Sequence, residues 1–546
     1  MSLEFGMRYL AVALAVGLTA TGVLRSQPPT YDLIIRNGRI VDGTGKPWYR
    51  GELAVRGDTI QVVSGCPAHD ANCTPRPIDG GAVRVIDAND QVVAPGFIDI
   101  HTHARRGIFD VPTAPNYVRQ GVTTLIEGPD GGSAVPLGPF LQKIEALQTS
   151  VNIGSFIGQG SVRSEVIGNA DRKATPEEID KMRGLVDQGM RDGALGLSTG
   201  LFYVPGTFTP TSEIIELAKV AARYGGMHKS HQRDDASKVL DSVRETIAIG
   251  EGGGLPTQVT HNKVIGKGNW GKSVEVLRLI DEARARGVDV TSDQYPYTAS
   301  STSIQSALLP AWALEGGRQQ IAARLKDPET RARVKNDTLL MIRDERGGGD
   351  PKNVQFANCS FDPTLAGKTL ADVMKQRQMS TSLEDAAEAT LWIVEQGGCQ
   401  GVFHAMSEED VVRIMKHPFT MIASDGEVPT FGRANPHPRS YGTFARVLGV
   451  YVREKKVLPL EDAIRKMTRF PATRLRLTDR GSLLPGGKAD IAIFDPARVR
   501  DTATFEKPHA YAEGFSHVLV NGQVVFENGE MTAARPGRVL YGPGKR

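Results

Sequence analysis

Two histidines, two residues apart, end an apolar run that reads GFIDIHTH. In an extended strand, residues i and i+2 project from the same face, so the pattern places His101 and His103 side by side. Two neighbouring imidazoles at a strand end can share one divalent metal ion, most readily zinc. Taken alone, the pair fits equally well with two ordinary polar residues at the end of a strand.

Three further residues of metal-ligand type close later strand-like segments. His231 ends GGMHKSH, His261 ends PTQVTH and Asp425 ends TMIASD. A chain with 11 histidines would rarely place four of them and an aspartate at successive strand ends by chance. The sequence therefore predicts a shared metal site. His228 is spaced three residues before His231, which favours a structural or supporting role for it.

Strands alternate with helical patterns between residues 95 and 478, which indicates βα units and a parallel sheet. FIDIHTH and seven later segments supply eight strand ends. Eight such units form a TIM-like (β/α)8 barrel, whose active site lies at the carboxyl ends of the strands. A charged helical stretch at about residues 305–356 is predicted to be a lid inserted over the barrel mouth.

Both ends of the chain have a different sequence pattern, with short strand-like segments in which apolar and polar residues alternate, separated by NG-type turns. Residues 30–94 and 479–546 share this pattern. We expect them to form one small β-sandwich domain built from both chain ends.

Composition excludes several classes of protein. A chain of 546 residues is too long for one ordinary core. With 65 Lys+Arg against 62 Asp+Glu, the net charge of +3 argues against a nucleic-acid binder. The 40% hydrophobic content argues against global disorder, and four cysteines exclude a disulfide-dense small scaffold.

Residues 1–27 are typical of a secretory signal peptide. Met1–Gly6 carries no targeting pattern, and Met7 could be the natural start. Arg8 then precedes a 16-residue uncharged run, Tyr9–Leu24, which is short for a membrane span of about 20 residues and fits a signal sequence. The alternative is a buried helix. We expect an exported, periplasmic or secreted protein with no stable membrane insertion after leader removal.

Export makes a disulfide possible. Cys66 and Cys73 could pair across a loop in an oxidising compartment, although two reduced thiols remain the alternative. Cys359 and Cys399 carry no recognisable motif.

The sequence resembles the amidohydrolase superfamily and, within it, the N-acyl-D-amino-acid deacylases, also called D-aminoacylases. The resemblance covers nearly the whole chain after residue 30. It is carried by APGFIDIHTH, QGVTTLIEG, GALGLSTGLFYVPG, SHQRDD, THNKVIG, DQYPYTASST, IASDG and HPRSYGTFARVLG. The HxH pair indicates only the superfamily, whereas YPYTASST and HPRSYGTF indicate the deacylase branch.

The resemblance implies one or two zinc ions. His101 and His103 would bind one metal together with Asp425, and His231 and His261 would bind a second, tighter zinc.

The bridging ligand departs from the family pattern. Related sequences often read GNCG with a bridging cysteine, whereas this chain reads GPDG with Asp130 at that position. A carboxylate is an ordinary zinc ligand. Glu127 is the rival candidate, and its alternative role is an ion pair at the strand end. GALGLSTG contains no lysine, so a carboxylated-lysine bridge is not expected.

The resemblance also implies the substrate contacts. Four side chains would bind the carboxylate of an amino acid: Lys263, Tyr295, Ser301 and Arg439. Tyr203 would face the reacting carbonyl. Each of these residues could instead be structural. Two departures would reshape the pocket: Phe202 replaces a common glutamate, and Gln159 replaces a common histidine.

The implied reaction is zinc-dependent hydrolysis of the amide bond of N-acyl-D-amino acids, giving a carboxylic acid and a D-amino acid. Zinc lowers the pKa of a bound water toward about 7 and polarises the carbonyl. Asp425 would act as general base and then as general acid, because an amine leaves poorly unless protonated. The D stereochemistry rests on the resemblance alone.

Three alternatives remain open. A D- or isoaspartyl-type dipeptidase performs the same hydrolysis on a different acyl group. A cyclic-amide hydrolase, like a dihydroorotase or hydantoinase, is weakened by the missing lysine and by HPRSYGTF. A non-catalytic binding module should have lost a ligand, yet all five strand-end residues are present. We expect a small-molecule N-acyl-amino-acid or dipeptide-like partner and no nucleic acid; the oligomeric state stays open.

Overall fold

The computed structural model of the protein describes residues 31–67 and 76–545. Its first segment is built from strands in which most aliphatic side chains are buried, in keeping with their β-branched composition. The strands are β1 (Tyr31–Ile40), β2 (Tyr49–Arg56), β3 (Thr59–Pro67), β4 (Ala82–Asp87) and β5 (Val92–Pro95). β1 pairs antiparallel with β2 and parallel with β4 and β5, and β2 pairs antiparallel with β3.

Parallel strands and helices alternate in the next segment. The strands are β6 (Phe97–Asp99), β7 (Thr102–His103), β8 (Val122–Glu127), β9 (Asn152–Ser155), β10 (Ile157–Gly158), β11 (Gly196–Gly200), β12 (Met227–His231), β13 (Thr257–Val259) and β14 (Val290–Gln294). The helices are α1 (Pro115–Val118), α2 (Leu137–Leu147), α3 (Gln159–Ile167), α4 (Pro176–Asp192), α5 (Thr211–Arg223), α6 (Val239–Gly253) and α7 (Ser273–Ala285).

The helices pack with one face against the strands. In α5 the buried residues Ile214, Leu217, Ala218 and Ala221 recur at the i, i+3, i+4, i+7 spacing of an amphipathic helix. Consecutive strands pair in parallel, as β6–β8–β9 and as β10–β11–β12–β13–β14. This arrangement brings the carboxyl ends of all the strands to one face of the barrel.

An insertion separates β14 from the last barrel strand. It contains β15 (Ser300–Ser303), α8 (Ile304–Leu308), α9 (Arg318–Lys326), α10 (Pro328–Asp344), β16 (Val354–Asn358), α11 (Leu370–Gln376), α12 (Leu383–Gln396) and β17 (Gln400–Phe403). β17 pairs antiparallel with both β15 and β16. The predicted lid at about 305–356 therefore covers only part of the insertion, which closes at Phe403.

A disulfide between Cys359 and Cys399 joins the end of β16 to the start of β17. No motif predicts this pair, because the two cysteines are 40 residues apart and meet only through sheet pairing. The insertion also has a hydrophobic core of its own, which includes Ile304, Phe356 and Phe403.

The barrel closes after the insertion. The remaining elements are α13 (Glu408–Lys416), β18 (Thr420–Ile422), β19 (Gly426–Glu427), α14 (Arg439–Arg446), a π-helical segment (Val447–Glu454), α15 (Leu460–Met467) and α16 (Arg469–Arg474). β18 pairs in parallel with β14, and β19 pairs in parallel with β7. The (β/α)8 barrel predicted from the eight strand ends is thus confirmed.

The last strands return to the first ones. They are β20 (Ile491–Phe494), β21 (Phe515–Val520), β22 (Gln523–Glu527) and β23 (Glu530–Met531). β20 pairs with β5, so both ends of the chain form one nine-stranded sheet. Side chains from strands of both chain ends form one hydrophobic cluster on this sheet, which includes Ile35, Leu53 and Ile491. The small β-domain of the predicted fold is therefore confirmed.

Within residues 31–67 and 76–545, no helix has the length and hydrophobicity needed to cross a bilayer. The predicted signal peptide lies outside the described residues. Cys73, one of the two cysteines of the possible Cys66–Cys73 pair, also lies outside them.

Candidate metal centre and active site

Six side chains converge at the carboxyl ends of the barrel strands. His101 follows β6, His103 ends β7, Asp130 follows β8, His231 ends β12, His261 follows β13 and Asp425 follows β18. We call these six residues the strand-end cluster. The structure brings together the four histidines and the aspartate that the sequence placed at strand ends, and Asp130, the preferred candidate for the bridging position, lies among them.

Asp130 lies between two pairs of histidines. Its Oδ1 is 3.4 Å from His101 Nε2 and 3.5 Å from His261 Nε2. Its Oδ2 is 3.4 Å from His103 Nε2 and 3.6 Å from His231 Nδ1. One carboxylate therefore faces both pairs and could bridge two cations.

The second carboxylate completes one of the two groups. Asp425 Oδ1 lies 3.3 Å from His101 Nε2 and 3.0 Å from His103 Nε2. The ligand atoms of His101, His103, Asp130 and Asp425 all lie within 4.8 Å of one another, as do those of Asp130, His231 and His261.

The 3.3–3.6 Å spacings around Asp130 and His101 match those between ligands of one metal ion, while His103 Nε2 and Asp425 Oδ1, 3.0 Å apart, are also within hydrogen-bond distance. Ligands about 2.0–2.1 Å from a tetrahedral zinc ion lie about 3.3–3.4 Å apart. In addition, His101 Nε2 and Asp130 Oδ1 are buried without a hydrogen-bond partner. Buried polar atoms are normally paired, so these two atoms fit a site that binds a cation.

Glu127, the rival for the bridging position, takes another role. Its carboxylate accepts a hydrogen bond from the backbone N–H of Arg105 at 3.0 Å and lies 3.2 Å from Arg105 Nε. It is thus held in an ion pair at the end of β8, while Asp130 faces the histidines.

Three members of the cluster have a left-handed backbone. The φ angles are 54° at Asp130, 34° at His261 and 53° at Asp425. Such angles are uncommon for residues other than glycine, and strained backbone tends to occur at functional sites. The Asp130 turn also needs Gly200, since a Cβ there would lie 2.0 Å from the Asp130 carbonyl oxygen.

The two histidine pairs differ in the direction of their pKa shifts. Burial lowers the pKa of His231, and burial together with Lys263 and His231 lowers the pKa of His261 to about 4. Neutral imidazole is the form that binds metals, so this pair is already in its ligating form at neutral pH. Burial and Lys229 would lower the pKa of His101, but the Asp130 and Asp425 carboxylates outweigh them and raise it.

Asp425 is ionised in this environment. Burial would raise its pKa, but the nearby Arg439 and His101 hold that pKa well below its usual value. Arg439 Nη1 lies 2.7 Å from Asp425 Oδ2. This ion pair was not predicted, because the sequence assigned Arg439 only to the substrate.

The five predicted substrate residues all line one cavity of about 680 Å³ beside the cluster. Arg439 also stacks over the ring of Tyr295, 4.9 Å from its centroid. The ring of Tyr203 is 4.7 Å from that of His231. Ser301 Oγ donates to the carbonyl of Gly401 at 3.0 Å. Lys263 Nζ lies 2.7 Å from His261 Nδ1.

The insertion forms the outer wall of this cavity through Leu314, Ile321, Leu325 and Val394. A smaller cavity of about 240 Å³ adjoins it and shares Ser301, Asp425 and Arg439 with it. The combined space is within the range of pockets that hold small organic molecules.

Sequence reasoning missed two buried residues beside the cluster. Asp235, in the SHQRDD motif, lies 3.1 Å from Lys263 Nζ, and Arg346 of the insertion lies 3.1 Å from Asp235. The motif could have suggested Asp235, but nothing in the sequence pointed to Arg346. His228, by contrast, contacts Thr199 and Thr257 through its two ring nitrogens. Gln159 donates to Thr209 Oγ1 at 3.1 Å.

Comparison with known families matches residues 84–207 and 349–526 to the amidohydrolase family. The chain is 34% identical to a D-aminoacylase of Alcaligenes xylosoxydans xylosoxydans, covering 94% of this chain and 98% of that protein. It is 32% identical to an N-acyl-D-glutamate deacylase of the same organism, covering 93% and 96%.

A solved structure is similar along the whole length. It is an N-acyl-D-glutamate deacylase from Bordetella bronchiseptica, complexed with zinc and a phosphonate inhibitor that mimics the tetrahedral intermediate of the reaction. It shares 31% identity, with a TM-score of 0.78, over 94% of this chain and 100% of that one.

Proposed function

Because the chain belongs to the amidohydrolase family, and within it to the N-acyl-D-amino-acid deacylases, we propose that it hydrolyses the amide bond of N-acyl-D-amino acids. The products are a carboxylic acid and a free D-amino acid. The observation that carries this proposal is the convergence of four histidines and two aspartates in a cavity at the strand ends, in a chain similar to deacylases over nearly its whole length.

The strand-end cluster would hold one or two zinc ions. His101, His103, Asp130 and Asp425 suit one position, and Asp130, His231 and His261 suit the other. Zinc supplies Lewis-acid chemistry, since it polarises a carbonyl group and makes water a stronger acid. The chain's own contribution is to fix the ligands and to move protons.

Asp425 is the residue placed to move protons. It is buried, ionised and at the wall of the cavity. Its carboxylate accepts a proton from the attacking water as the water oxygen bonds to the carbonyl carbon. The same proton is then delivered to the amide nitrogen as the C–N bond breaks, so the amine leaves neutral.

The cations of the cavity orient the substrate. Arg439 and Lys263 face the same space as the cluster, and a guanidinium can hold a carboxylate through two hydrogen bonds. Tyr203 lies against His231, next to the position that the reacting carbonyl would occupy.

Amine release from matched N-acetyl-D- and N-acetyl-L-amino acids tests this function, with zinc added and again after chelation. We expect hydrolysis of the D series only, lost on chelation and restored by zinc. The panel should include D-dipeptides and cyclic amides. Release from cyclic amides alone, or equal release from the L series, would contradict the proposal.

We also propose that the protein is exported. Residues 1–27 have the pattern of a signal peptide, and the Cys359–Cys399 disulfide is of the kind that persists in oxidising compartments. Cell fractionation and the mass of the mature N-terminus test this point. A full-length chain recovered from the cytosol with both thiols reduced would contradict it.

A further inference from the structure

Arg346 connects the insertion to the mouth of the barrel. It follows α10, and its side chain is only 4% exposed. Its Nη2 lies 3.1 Å from Asp235 Oδ2, and its Nη1 donates to Ser300 Oγ at 3.2 Å. Its guanidinium carbon is 4.3 Å from the centroid of the Phe202 ring. One insertion residue thus contacts three different segments around the cavity.

Asp235 links Arg346 to the strand-end cluster through Lys263. The same Oδ2 atom that faces Arg346 lies 3.1 Å from Lys263 Nζ. Lys263 Nζ is in turn 2.7 Å from His261 Nδ1 and donates to the His261 carbonyl at 3.1 Å. All of these groups are buried, so the position of the Lys263 ammonium depends on a carboxylate shared with Arg346.

Phe202 provides a second connection between Arg346 and the strand-end cluster. Its ring stacks on that of His231, with centroids 5.6 Å apart and planes 24° from parallel. Arg346 lies over the same Phe202 ring. A guanidinium over an aromatic ring restrains both groups, and the ring then limits the orientations open to His231.

We propose that Arg346 is a positioning residue for amide hydrolysis. Through Asp235 it fixes Lys263, and through Phe202 it supports His231, so the cavity is complete only when the insertion is docked on the barrel. This inference rests on the proposed function. Without the guanidinium, Asp235 is left with one cation, and the Lys263 ammonium loses its defined position toward the substrate carboxylate.

Lysine cannot replace arginine at this position. Its single ammonium cannot reach Asp235 and Ser300 through separate nitrogens while also stacking flat on Phe202. R346K should therefore keep the charge and recover only part of the effect.

The test compares R346A, R346K and a control, R343A. Arg343 lies on α10, is 52% exposed and pairs with its neighbour Asp344. For an N-acetyl-D-amino acid, we expect R346A to raise KM about tenfold or more, R346K to be intermediate, and R343A to stay within about twofold. An amide-capped analogue that lacks the carboxylate should show a smaller change in KM, because Lys263 has no anion to hold.

A second readout does not depend on turnover. The dissociation constant for zinc, measured by competition with a chromophoric chelator, should rise at least about tenfold in R346A and stay unchanged in R343A. D235N should reproduce the rise in KM, and in KM the double variant R346A/D235N should be no worse than D235N alone, because the contact of Arg346 with Lys263 runs through Asp235.

Several results would overturn the inference. A match between R346A and R343A in both KM and zinc affinity would contradict it. An equal rise of KM in R346A for the capped analogue would assign Arg346 a general structural role instead. If R346A does not fold, as judged by circular dichroism, R346K and D235N carry the same test. A wild-type enzyme that binds zinc but releases no D-amino acid would refute the proposed function, and the zinc-affinity comparison would then decide the role of Arg346.

Discussion

Two buried polar clusters lie at opposite ends of the barrel strands, and they differ in how they are paired. The strand-end cluster lies at the carboxyl ends. A second group, which we call the base cluster, joins the amino end of the barrel to the β-domain and consists of Asn152, Arg480, Asp490 and Asn521. Asp490 Oδ1 accepts from the Asn521 backbone at 2.7 Å, and its Oδ2 accepts from Asn152 at 3.1 Å and from Arg480 at 2.5 Å.

In the base cluster both carboxylate oxygens of Asp490 accept hydrogen bonds, and the one buried side-chain atom there without a hydrogen-bond partner is the neutral Asn521 Oδ1. In the strand-end cluster the ligand-type atoms His101 Nε2 and Asp130 Oδ1 lack hydrogen-bond partners. An unpaired buried polar group costs about 1–3 kcal/mol. The strand-end cluster, whose unpaired ligand-type atoms face one another, is suited to bind a ligand. The base cluster, whose charged groups are paired with each other, stabilises the fold. Burial alone does not distinguish the two.

The largest expected effect comes from D425N in the strand-end cluster. Asparagine cannot accept or deliver the proton, so kcat should fall by about 100-fold to 10,000-fold. Zinc should remain bound through the other ligands, which metal analysis of the purified variant measures. The control is D241N, since the Asp241 side chain is 76% exposed, pairs with Arg244 and lines neither cavity. Near wild-type turnover in D425N would remove Asp425 from proton transfer.

The base cluster should respond in the opposite way. D490N removes the buried charge partner of the Arg480 guanidinium and leaves it only the half-exposed Asp479, so it should lower the free energy of unfolding by about 3–5 kcal/mol. The kcat of the folded enzyme should not change. Urea denaturation measures the loss, and D479N is the control, because Asp479 contacts the same arginine but is 45% exposed. Equal stability of the two variants would mean that the base cluster does not hold the domains together.

The smallest effect concerns His228, which lies on the same strand as the predicted metal ligand His231. Both of its ring nitrogens contact threonine hydroxyls, so it is paired inside the protein like the groups of the base cluster. Burial, with a smaller contribution from Arg474, lowers the pKa of His228 to about 3. In the unfolded chain the histidine pKa is about 6.5. Between pH 3 and pH 6.5 the unfolded state therefore binds a proton at His228 and the native state does not. Stability is therefore lost as the pH falls from about 6.5 toward 3.

At pH 5 this loss amounts to about 2 kcal/mol. H228N removes it, so the difference in unfolding free energy between pH 7 and pH 5 should be about 2 kcal/mol smaller than in the wild type. Urea denaturation of the metal-free protein at the two pH values checks this. An unchanged pH dependence would show that His228 is not a neutral, internally paired side chain.

The amino-acid sequence by itself determined the barrel and the edge at which the chemistry lies. Alternation fixes which residues of a strand share a face, and the carboxyl ends of parallel strands must meet at one end of a closed barrel. His101, His103, His231, His261 and Asp425 could therefore be placed together without coordinates. The β-domain followed from the shared texture of the two chain ends.

Only the tertiary structure decided between Asp130 and Glu127, since both lie at the end of the same strand and the backbone turn determines which carboxylate faces the histidines. It also revealed the Asp425–Arg439 pair, the Cys359–Cys399 disulfide and the contact of Arg346 with Asp235, whose partners are 111 residues apart. Local periodicity carries no information about such contacts. They depend on the path of the insertion across the barrel mouth, which is set by its own core and by the strands that close it.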